Sequence, residues 1–312
     1  TADVVVNGSG VLDLRTDDMS FDTLSGNGTV GNSYNIDGTN TLTLGNGNGT
    51  ATFIGNIRGA GGGANDSSLD AGNIALVKNG TGTQTLSGNN TYNGTTTINS
   101  GTLEIGGAGR LGGGSYARNI SINGTSTFLY NSTNNQTLSG NLTGAGMLVK
   151  DNTSKLSFSG TKALTGNITI NAGTLSMTGA TISTGSGAVS IASGANLIVN
   201  NSAASLTLGS ITGAGNFNAT VGTYFMMGNI STTGAVNIAA GSAGAGGLRM
   251  NNNSGGGNGG SRSITANAIT VTGQTGDSFG AGTLTLDTSA ANGNIYLDLA
   301  NGWSGTFYNN NI

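Results

Sequence analysis

The sequence contains no proline, no cysteine and no histidine, and charged residues make up only 7% of its 312 residues. Proline removes a hydrogen-bond donor from a β-sheet, so its absence suits a chain in which strands occur nearly everywhere. Without cysteine there are neither disulfides nor thiolate metal sites. Without histidine, every catalytic triad or metal site that needs an imidazole is excluded.

The chain also lacks an excess of basic residues and a long run of apolar residues. Its formal net charge is −3 and its pI is near 4.6, which argues against binding to nucleic acid. No stretch approaches 18 consecutive apolar residues, so no membrane-spanning segment is predicted. The sequence opens at Thr1 without a signal-like segment, which fits either a processed, mature product or an excerpt of a longer protein.

What the chain does contain is glycine, asparagine, threonine and serine. Glycine accounts for 59 residues, hydrophobic residues for 35% and aromatic residues for 5%. Such a composition is typical either of a disordered tract or of a fold with a thin core. Leu, Ile, Val and Phe recur at strand spacing throughout, which disordered tracts lack. We therefore expect an ordered protein.

Short alternating segments predict that the protein is all-β. In Gly101–Gly106, Leu103 and Ile105 alternate with polar neighbours, the period-2 pattern of a half-buried strand. Glu104 is expected to point outward. No segment shows a helical stripe. The same alternating pattern recurs at 41–44, 119–122, 155–158, 167–170, 188–191, 196–199, 205–208, 235–238, 268–271, 283–286 and 294–299.

The arrangement of these strands has two candidate solutions. Asn-Gly turns between alternating strands are compatible with antiparallel hairpins in a sandwich or barrel. Long-range repetition, short strands and inward-facing side chains that are mostly aliphatic favour a right-handed parallel β-helix, or β-solenoid. We predict one elongated domain over 1–312, with a period of about 20–23 residues and about 14 coils. At about 4.8 Å per coil, such a rod would be roughly 65–70 Å long.

One sequence motif occurs twice, about 70 residues apart, and it resembles the repeat of a known family. The first copy contains Leu76-Val-Lys78, Gly80, Gly82-Thr83, Leu86-Ser-Gly88, Asn90, Tyr92, Gly94, Thr96, Ile98 and Gly101-Thr-Leu103. The second contains Leu148-Val-Lys150, Leu156, Ser159-Gly160, Gly166, Ile170 and Gly173-Thr-Leu175. These residues resemble the autotransporter-associated β-strand repeat of bacterial type V secretion passengers. The match is strongest over 50–225.

The resemblance implies a secreted or surface-displayed right-handed β-helix, usually non-enzymatic, that serves in adhesion or as a stalk. Residues 282–312 are too short for the C-terminal membrane barrel of such proteins, so we expect a passenger without that barrel. A cleaved passenger, a fragment and a relative with another use of the repeat all remain open. The Gly/Asn-rich stretch 251–260 is expected to form a long loop, with a linker between domains as the alternative.

The sequence offers few candidates for chemistry. The densest acidic cluster consists of Asp13, Asp17, Asp18 and Asp22. Its carboxylates make it a weak candidate for a calcium site, and the alternative is a solvent-exposed turn. The segment 107–112 matches G-x-G-x-x-G, but no helical pattern follows to hold a pyrophosphate. Lysines and arginines are scattered without a companion acid cluster. We expect neither an enzyme nor a cofactor.

The chain ends are the predicted functional surfaces. Terminal coils of a solenoid expose unpaired strand edges, and contact between unlike ends gives a fibre. We predict head-to-tail stacking of copies into an extracellular filament or surface layer. The alternative is a monomeric adhesin or stalk at the cell surface that binds glycans or proteins. For Trp303, Phe307 and Tyr308, capping of the core is the alternative to a contact. The interface candidates are Val4, Val5, Val6, Val11, Leu12, Leu14, Ile295, Tyr296, Leu297, Leu299, Trp303, Phe307 and Tyr308.

Overall fold

A computed structural model describes most of the first three quarters of the chain and isolated strands beyond. The described residues are 2–34, 38–59, 72–178, 182–183, 187–201, 206–221, 225–227, 229–240, 250–251, 262–265, 268–272, 284–287 and 295–298. They fall into two compact units, Thr1–Ser157 and Phe158–Ile312. Each unit is considered by itself.

The protein is an all-β parallel β-solenoid, as the sequence predicted. Within each unit, neighbouring strands pair in parallel, which excludes the hairpin-based sandwich and barrel. Among the described residues the one helical element is a 3₁₀ turn at Gly112–Gly114. All the predicted strands lie within or overlap observed ones.

The first unit contains β1–β20, and β21 begins in it. Its strands form sheets in the orders β1-β4, β2-β5-β8, β3-β6-β9-β12-β16-β19, β7-β10-β13-β17-β20, β11-β14 and β15-β18. The strand bounds are β1 (Val4–Val5), β2 (Val11–Asp13), β3 (Met19–Phe21), β4 (Leu24–Ser25), β5 (Thr29–Gly31), β6 (Thr39–Leu44), β7 (Ala51–Phe53), β8 (Asn56–Ile57), β9 (Asn73–Lys78), β10 (Thr83–Leu86), β11 (Asn89–Asn90), β12 (Thr96–Ile98), β13 (Thr102–Gly107), β14 (Arg110–Leu111), β15 (Ser115–Tyr116), β16 (Ile120–Ile122), β17 (Thr127–Ser132), β18 (Gln136–Leu138), β19 (Leu142–Gly144), β20 (Met147–Lys150) and β21 (Lys155–Phe158).

The second unit repeats the pattern with three sheets. Their orders are β22-β25-β28-β31-β34, β23-β26-β29-β32-β35-β37 and β24-β27-β30-β33-β36-β38. The bounds are β22 (Lys162–Leu164), β23 (Ile168–Ile170), β24 (Thr174–Thr178), β25 (Ile182–Ser183), β26 (Val189–Ile191), β27 (Asn196–Asn201), β28 (Leu206–Leu208), β29 (Ile211–Gly213), β30 (Asn216–Val221), β31 (Phe225–Met227), β32 (Ile230–Thr232), β33 (Ala235–Ala240), β34 (Met250–Asn251), β35 (Arg262–Thr265), β36 (Ala268–Thr272), β37 (Leu284–Asp287) and β38 (Ile295–Asp298).

The predicted number of coils was too high. The described residues form about 10 turns rather than the predicted 14 or so. A uniform period was the source of the error, because the coils differ in length. Thr85 and Glu104, which touch across adjacent coils, are 19 residues apart, whereas Asn56 and Asn89 are 33 apart. Residues 60–71 lie within the longer interval.

Alternation along each strand creates the core. In β13, Leu103 and Ile105 are fully buried, while Thr102 and Glu104 are only partly so. The parallel register places Leu103 beside Phe128 of the next coil. The expectation that the core-facing side chains are aliphatic was incomplete, because aromatic side chains are also fully buried. The largest of these are Tyr92, Tyr116, Tyr130, Phe53, Phe128, Phe158 and Phe217.

Glycines allow the coils to approach one another at the corners. Gly101 has φ +63°, a left-handed conformation that side chains rarely adopt. A Cβ at this position would lie 2.4 Å from the carbonyl oxygens of Gly80 and Gly82 in the preceding coil. The Gly-x-Gly and Gly-Thr-Leu elements of the repeat therefore meet at one corner, where only glycine fits.

Candidate functional site

The repeat lysines are buried at the corners of the coil. In β9, Ile74, Leu76 and Lys78 occupy the inward positions, and all three are fully buried. The Lys78 Nζ donates to the backbone oxygens of Asn79 at 2.5 Å and Gly80 at 2.9 Å, with a longer contact to Ser100 at 3.4 Å. The aliphatic stem thus extends the core, and the ammonium group satisfies the carbonyls of the turn.

Two further lysines repeat this arrangement. The Lys150 Nζ donates to the backbone oxygens of Asp151 at 2.5 Å and Asn152 at 2.7 Å, and it lies 5.8 Å from the centre of the Tyr130 ring. The Lys162 Nζ donates to the backbone oxygens of Ser159 and Thr161 and lies 5.5 Å from the Phe158 ring. Cation–π contact adds to the stabilisation of both ammonium groups. These lysines hold turns in place.

Sequence reasoning missed this role because it treated the lysines as scattered. The signal was present in the alternation of residues 74–78, which puts Lys78 in register with two core residues. Burial lowers the pKa of Lys78, Lys150 and Lys162 to about 8. Asp22 opposes this effect at Lys78, and Asp151 opposes it at Lys150.

A buried hydroxyl cluster explains another part of the repeat. The Tyr92 and Tyr116 hydroxyls each lie 2.8 Å from the Thr96 Oγ1, and the Tyr116 hydroxyl donates to the Gly94 carbonyl at 2.5 Å. The two rings meet edge to face with centroids 5.6 Å apart. Burial raises the pKa of Tyr92 to about 12 and also raises that of Tyr116. The cluster ties two successive coils together inside the core.

On one outer corner, asparagines form a continuous ladder. Nδ2 of Asn79 donates to Oδ1 of Asn46, that of Asn99 to Asn79, and that of Asn123 to Asn99, each at 2.9 Å. The Asn46 amide continues the chain to the Ser20 hydroxyl. All donors point the same way, so the bonds polarise one another. These outward amides are satisfied within the protein.

The predicted outward position of Glu104 is confirmed, although the residue is only half-exposed. Its carboxylate accepts from the Thr85 hydroxyl and from the Asn131 amide, each at 2.9 Å. This charge is therefore engaged with the neighbouring coils on either side.

Three of the four calcium candidates bind different parts of the backbone, and the four are not arranged as a metal site. Asp13 accepts from the Ser33 amide at 3.0 Å, Asp18 from the Thr41 amide at 2.7 Å, and Asp22 from the amide of Gly47 at 2.7 Å. Asp17 is exposed. Among the residues that the structure describes, no group of three or more acidic side chains is arranged to hold a metal ion.

The N-terminal interface candidates divide into exposed and buried residues. Val5 is 63% exposed and Val11 is 52% exposed. Val4 and Leu12 are half-buried, and Val6 and Leu14 are buried. In the part of the chain that is described, β1 pairs with β4 and β2 with β5, each along one edge.

The C-terminal candidates are described only in part. Ile295, Tyr296 and Leu297 lie in β38, which pairs in parallel with β36. Leu299, Trp303, Phe307 and Tyr308 lie outside the described residues. So does the predicted loop, apart from Asn251, which ends β34.

The first unit also carries a polar groove that sequence reasoning did not find. Its volume is about 320 Å³. Its lining comes from three strand regions that are far apart in sequence, and none of the lining residues is acidic. They are Thr29, Asn56, Arg58, Asn89 and Thr91.

The fold thus defines the protein as a parallel β-solenoid whose corners are held by buried lysines. Comparison with known families makes the class more specific: the family described as passenger-associated-transport-repeat matches residues 76–105 and 148–177. The two matches start in β9 and β20, the strands that end in Lys78 and Lys150. No curated protein and no solved structure matches the chain.

The chain therefore carries the repeats of autotransporter passengers, which confirms the resemblance seen in the sequence. The repeat family indicates a secreted or cell-surface protein. No helix within the described ranges combines the length and the apolar character that crossing a membrane requires.

The buried lysines and tyrosines predict an unusual dependence of stability on pH. The lysines have a pKa of about 8 when folded and 10.5 when unfolded, so the unfolded state binds more protons over that interval and stability rises with pH. Tyr92 has the opposite effect. Its pKa is about 12 in the folded state and 10.0 in the unfolded state, so stability falls above pH 10. Urea unfolding across pH 7–12 should therefore show a maximum near pH 10.

Two variants serve as controls for this maximum. Replacing Lys78, Lys150 and Lys162 by Met should abolish the rise, and Tyr92→Phe should weaken the fall. A stability that declines steadily from pH 8 in the unmodified protein would contradict the account of the lysines.

The hydroxyl cluster predicts a large effect from a nearly isosteric change. Thr96→Val removes the hydroxyl that contacts both buried tyrosine hydroxyls, which should cost about 1–3 kcal/mol of unfolding free energy. Thr97→Val is the matched control, because Thr97 lies in the same strand but only half-buried on the outer face. Urea denaturation measures both. Equal losses for the two variants would show that the cluster contributes nothing specific.

Proposed function

We propose that this chain is a non-enzymatic structural passenger whose solenoid subunits stack end to end outside the cell. The fold and the two repeats support a passenger domain. End-to-end stacking goes beyond the assignment as a passenger domain. The observation that supports it is the exposed apolar edge of the first coil.

That edge has the chemistry of a strand-pairing surface. Val5 and Val11 are exposed in β1 and β2, whose pairing partners β4 and β5 lie on one side only. An exposed apolar edge is a template for a further strand, and a parallel coil supplies strands at the matching spacing. Contact between unlike ends does not close on itself, so repeated stacking produces a filament.

Charge at the edge tests the proposal. Val5→Lys combined with Val11→Lys should prevent assembly, because a lysine at each position would oppose burial against a second copy. Ile54→Lys is the matched control, since Ile54 is 58% exposed but follows β7, away from the first coil. Sedimentation velocity over a wide concentration range and negative-stain microscopy give the readout.

The proposal requires filaments or concentration-dependent oligomers from the unmodified chain and from Ile54→Lys, and single particles from the double variant. Single particles from all three proteins at every concentration would contradict stacking.

A second candidate function is attachment of a monomeric passenger, as an adhesin or stalk, to the surface of a cell. The observation that favours it is the polar groove of the first unit, whose lining of Thr29, Asn56, Arg58, Asn89 and Thr91 is entirely polar. This candidate does not depend on stacking.

A further inference from the structure

One aspartate of the first coil binds two glycine amides of the second. The Asp22 Oδ1 accepts from the backbone N–H of Gly47 at 2.7 Å and from that of Gly49 at 2.9 Å. Glycine permits this approach, because a Cβ would lie 2.5 Å from the Asp22 Oδ2 at Gly47 and 2.7 Å from it at Gly49. Each glycine directly follows an asparagine. The carboxylate therefore faces two consecutive Asn-Gly pairs, Asn46-Gly47 and Asn48-Gly49.

An Asn-Gly pair is able to react within itself. The glycine nitrogen attacks the side-chain carbonyl carbon of the asparagine and closes a succinimide ring, since both groups are held close together in one chain. Glycine hinders this attack least, because it has no side chain. The reaction needs a base for the N–H proton, a donor to the oxygen that becomes negative, and a nitrogen that is able to leave.

The Asn48-Gly49 pair meets all three requirements. Asp22 lies at hydrogen-bond distance from the Gly49 N–H, which is where a general base must be. The Thr81 N–H donates to the Asn48 Oδ1 at 2.8 Å, so it would stabilise negative charge on that oxygen. Within the described ranges, the Asn48 Nδ2 donates no hydrogen bond, and the residue is exposed to water. That nitrogen is therefore free to leave.

The Asn46-Gly47 pair shares the carboxylate but lacks the free nitrogen. The Asn46 Nδ2 donates to the Ser20 hydroxyl at 2.5 Å, and the Asn46 Oδ1 accepts from the Asn79 amide at 2.9 Å. Both ends of this amide are held in the asparagine ladder. The two neighbouring pairs thus differ in the asparagine and not in the base.

Other Asn-Gly pairs in the described part of the chain have no carboxylate at the glycine N–H. The Gly8 N–H donates to the Asn27 Oδ1 at 2.7 Å, and the Gly94 N–H donates to the Ile74 carbonyl at 2.9 Å. A neutral amide oxygen is a much weaker base than a carboxylate. The combination of base, oxygen donor and free nitrogen therefore singles out Asn48-Gly49.

We propose that Asn48-Gly49 is a self-modification site, at which Asp22 acts as the general base for deamidation of Asn48. Asp22 removes the Gly49 N–H proton, and the Gly49 nitrogen forms a bond to the Asn48 Cγ. The Cγ–Nδ2 bond then breaks, and Nδ2 leaves with that proton as ammonia. Solvent water opens the succinimide to aspartate or isoaspartate, so the balance is amide plus water giving carboxylate plus ammonium.

The product places a second negative charge beside Asp22, at the corner between the first two coils. The proposal depends neither on stacking nor on attachment to a cell.

Peptide mapping by mass spectrometry tests it on the full chain incubated at neutral pH. In the folded protein, Asn48 should be lost at least about tenfold faster than Asn46, because a positioned general base contributes roughly 100-fold or more. In the chain unfolded by urea, the two asparagines should react at similar rates, because each lies between two glycines. Isoaspartate at position 48 identifies the succinimide route.

Variants test the base. Asp22→Asn keeps an acceptor for the glycine amides and removes the base, so it should slow the loss of Asn48 at least about tenfold. A purely structural role predicts the opposite, since a loosened corner would free the turn and speed the reaction. Asp18→Asn is the matched control, because Asp18 also lies in the first coil and accepts from a backbone N–H, that of Thr41, at 2.7 Å. Its rate should stay within about twofold of the unmodified protein.

Four results would overturn the inference. They are equal loss of Asn46 and Asn48 in the folded protein, no loss of Asn48 in the folded protein while the unfolded chain reacts, unchanged or faster loss of Asn48 in Asp22→Asn, and the same slowing in Asp18→Asn. The comparison of Asn46 with Asn48 uses the unmodified protein, so it decides the matter even where a variant folds poorly.

Discussion

Parallel pairing of each coil with the next is the constraint on which the rest of the structure depends. Because the pairing is in register, every inward or outward position in one coil lies directly beside its counterpart in the next. Apolar positions then form a continuous thin core, and outward asparagines form the ladder from Asn46 to Asn123.

The buried lysines show how the same constraint sets local chemistry. A corner brings several carbonyls together, and an inward side chain at the end of β9 or β20 reaches them. Lysine has the length to do so and three protons to donate. The cost is a buried ammonium group with a lowered pKa. The repeat lysine is therefore a part of the fold, and the outward surfaces are the places to look for function.

Alternation such as that of Leu103 and Ile105 was enough to predict the strands, and the long-range repetition of short strands favoured the parallel solenoid over an antiparallel sandwich. The number of coils was not predictable in this way, because the 33-residue interval between Asn56 and Asn89 follows no uniform period. The groove was also out of reach: Thr29, Asn56 and Asn89 come together only through the register of three strands. The burial of Lys78 could have been read from its alternation with Ile74 and Leu76, and it was overlooked because lysine is usually exposed.

Disulfide trapping tests the coil register most directly, because the chain has no native cysteine. Thr52 and Thr85 are register partners on β7 and β10. Thr83 lies two residues before Thr85 on the same outward face of β10. The account predicts that Thr52→Cys with Thr85→Cys oxidises rapidly in the folded protein. Thr52→Cys with Thr83→Cys should remain reduced, since its Cα separation exceeds the roughly 7 Å limit for a disulfide. Equal trapping of the two pairs, or preferential trapping of the offset pair, would contradict the register.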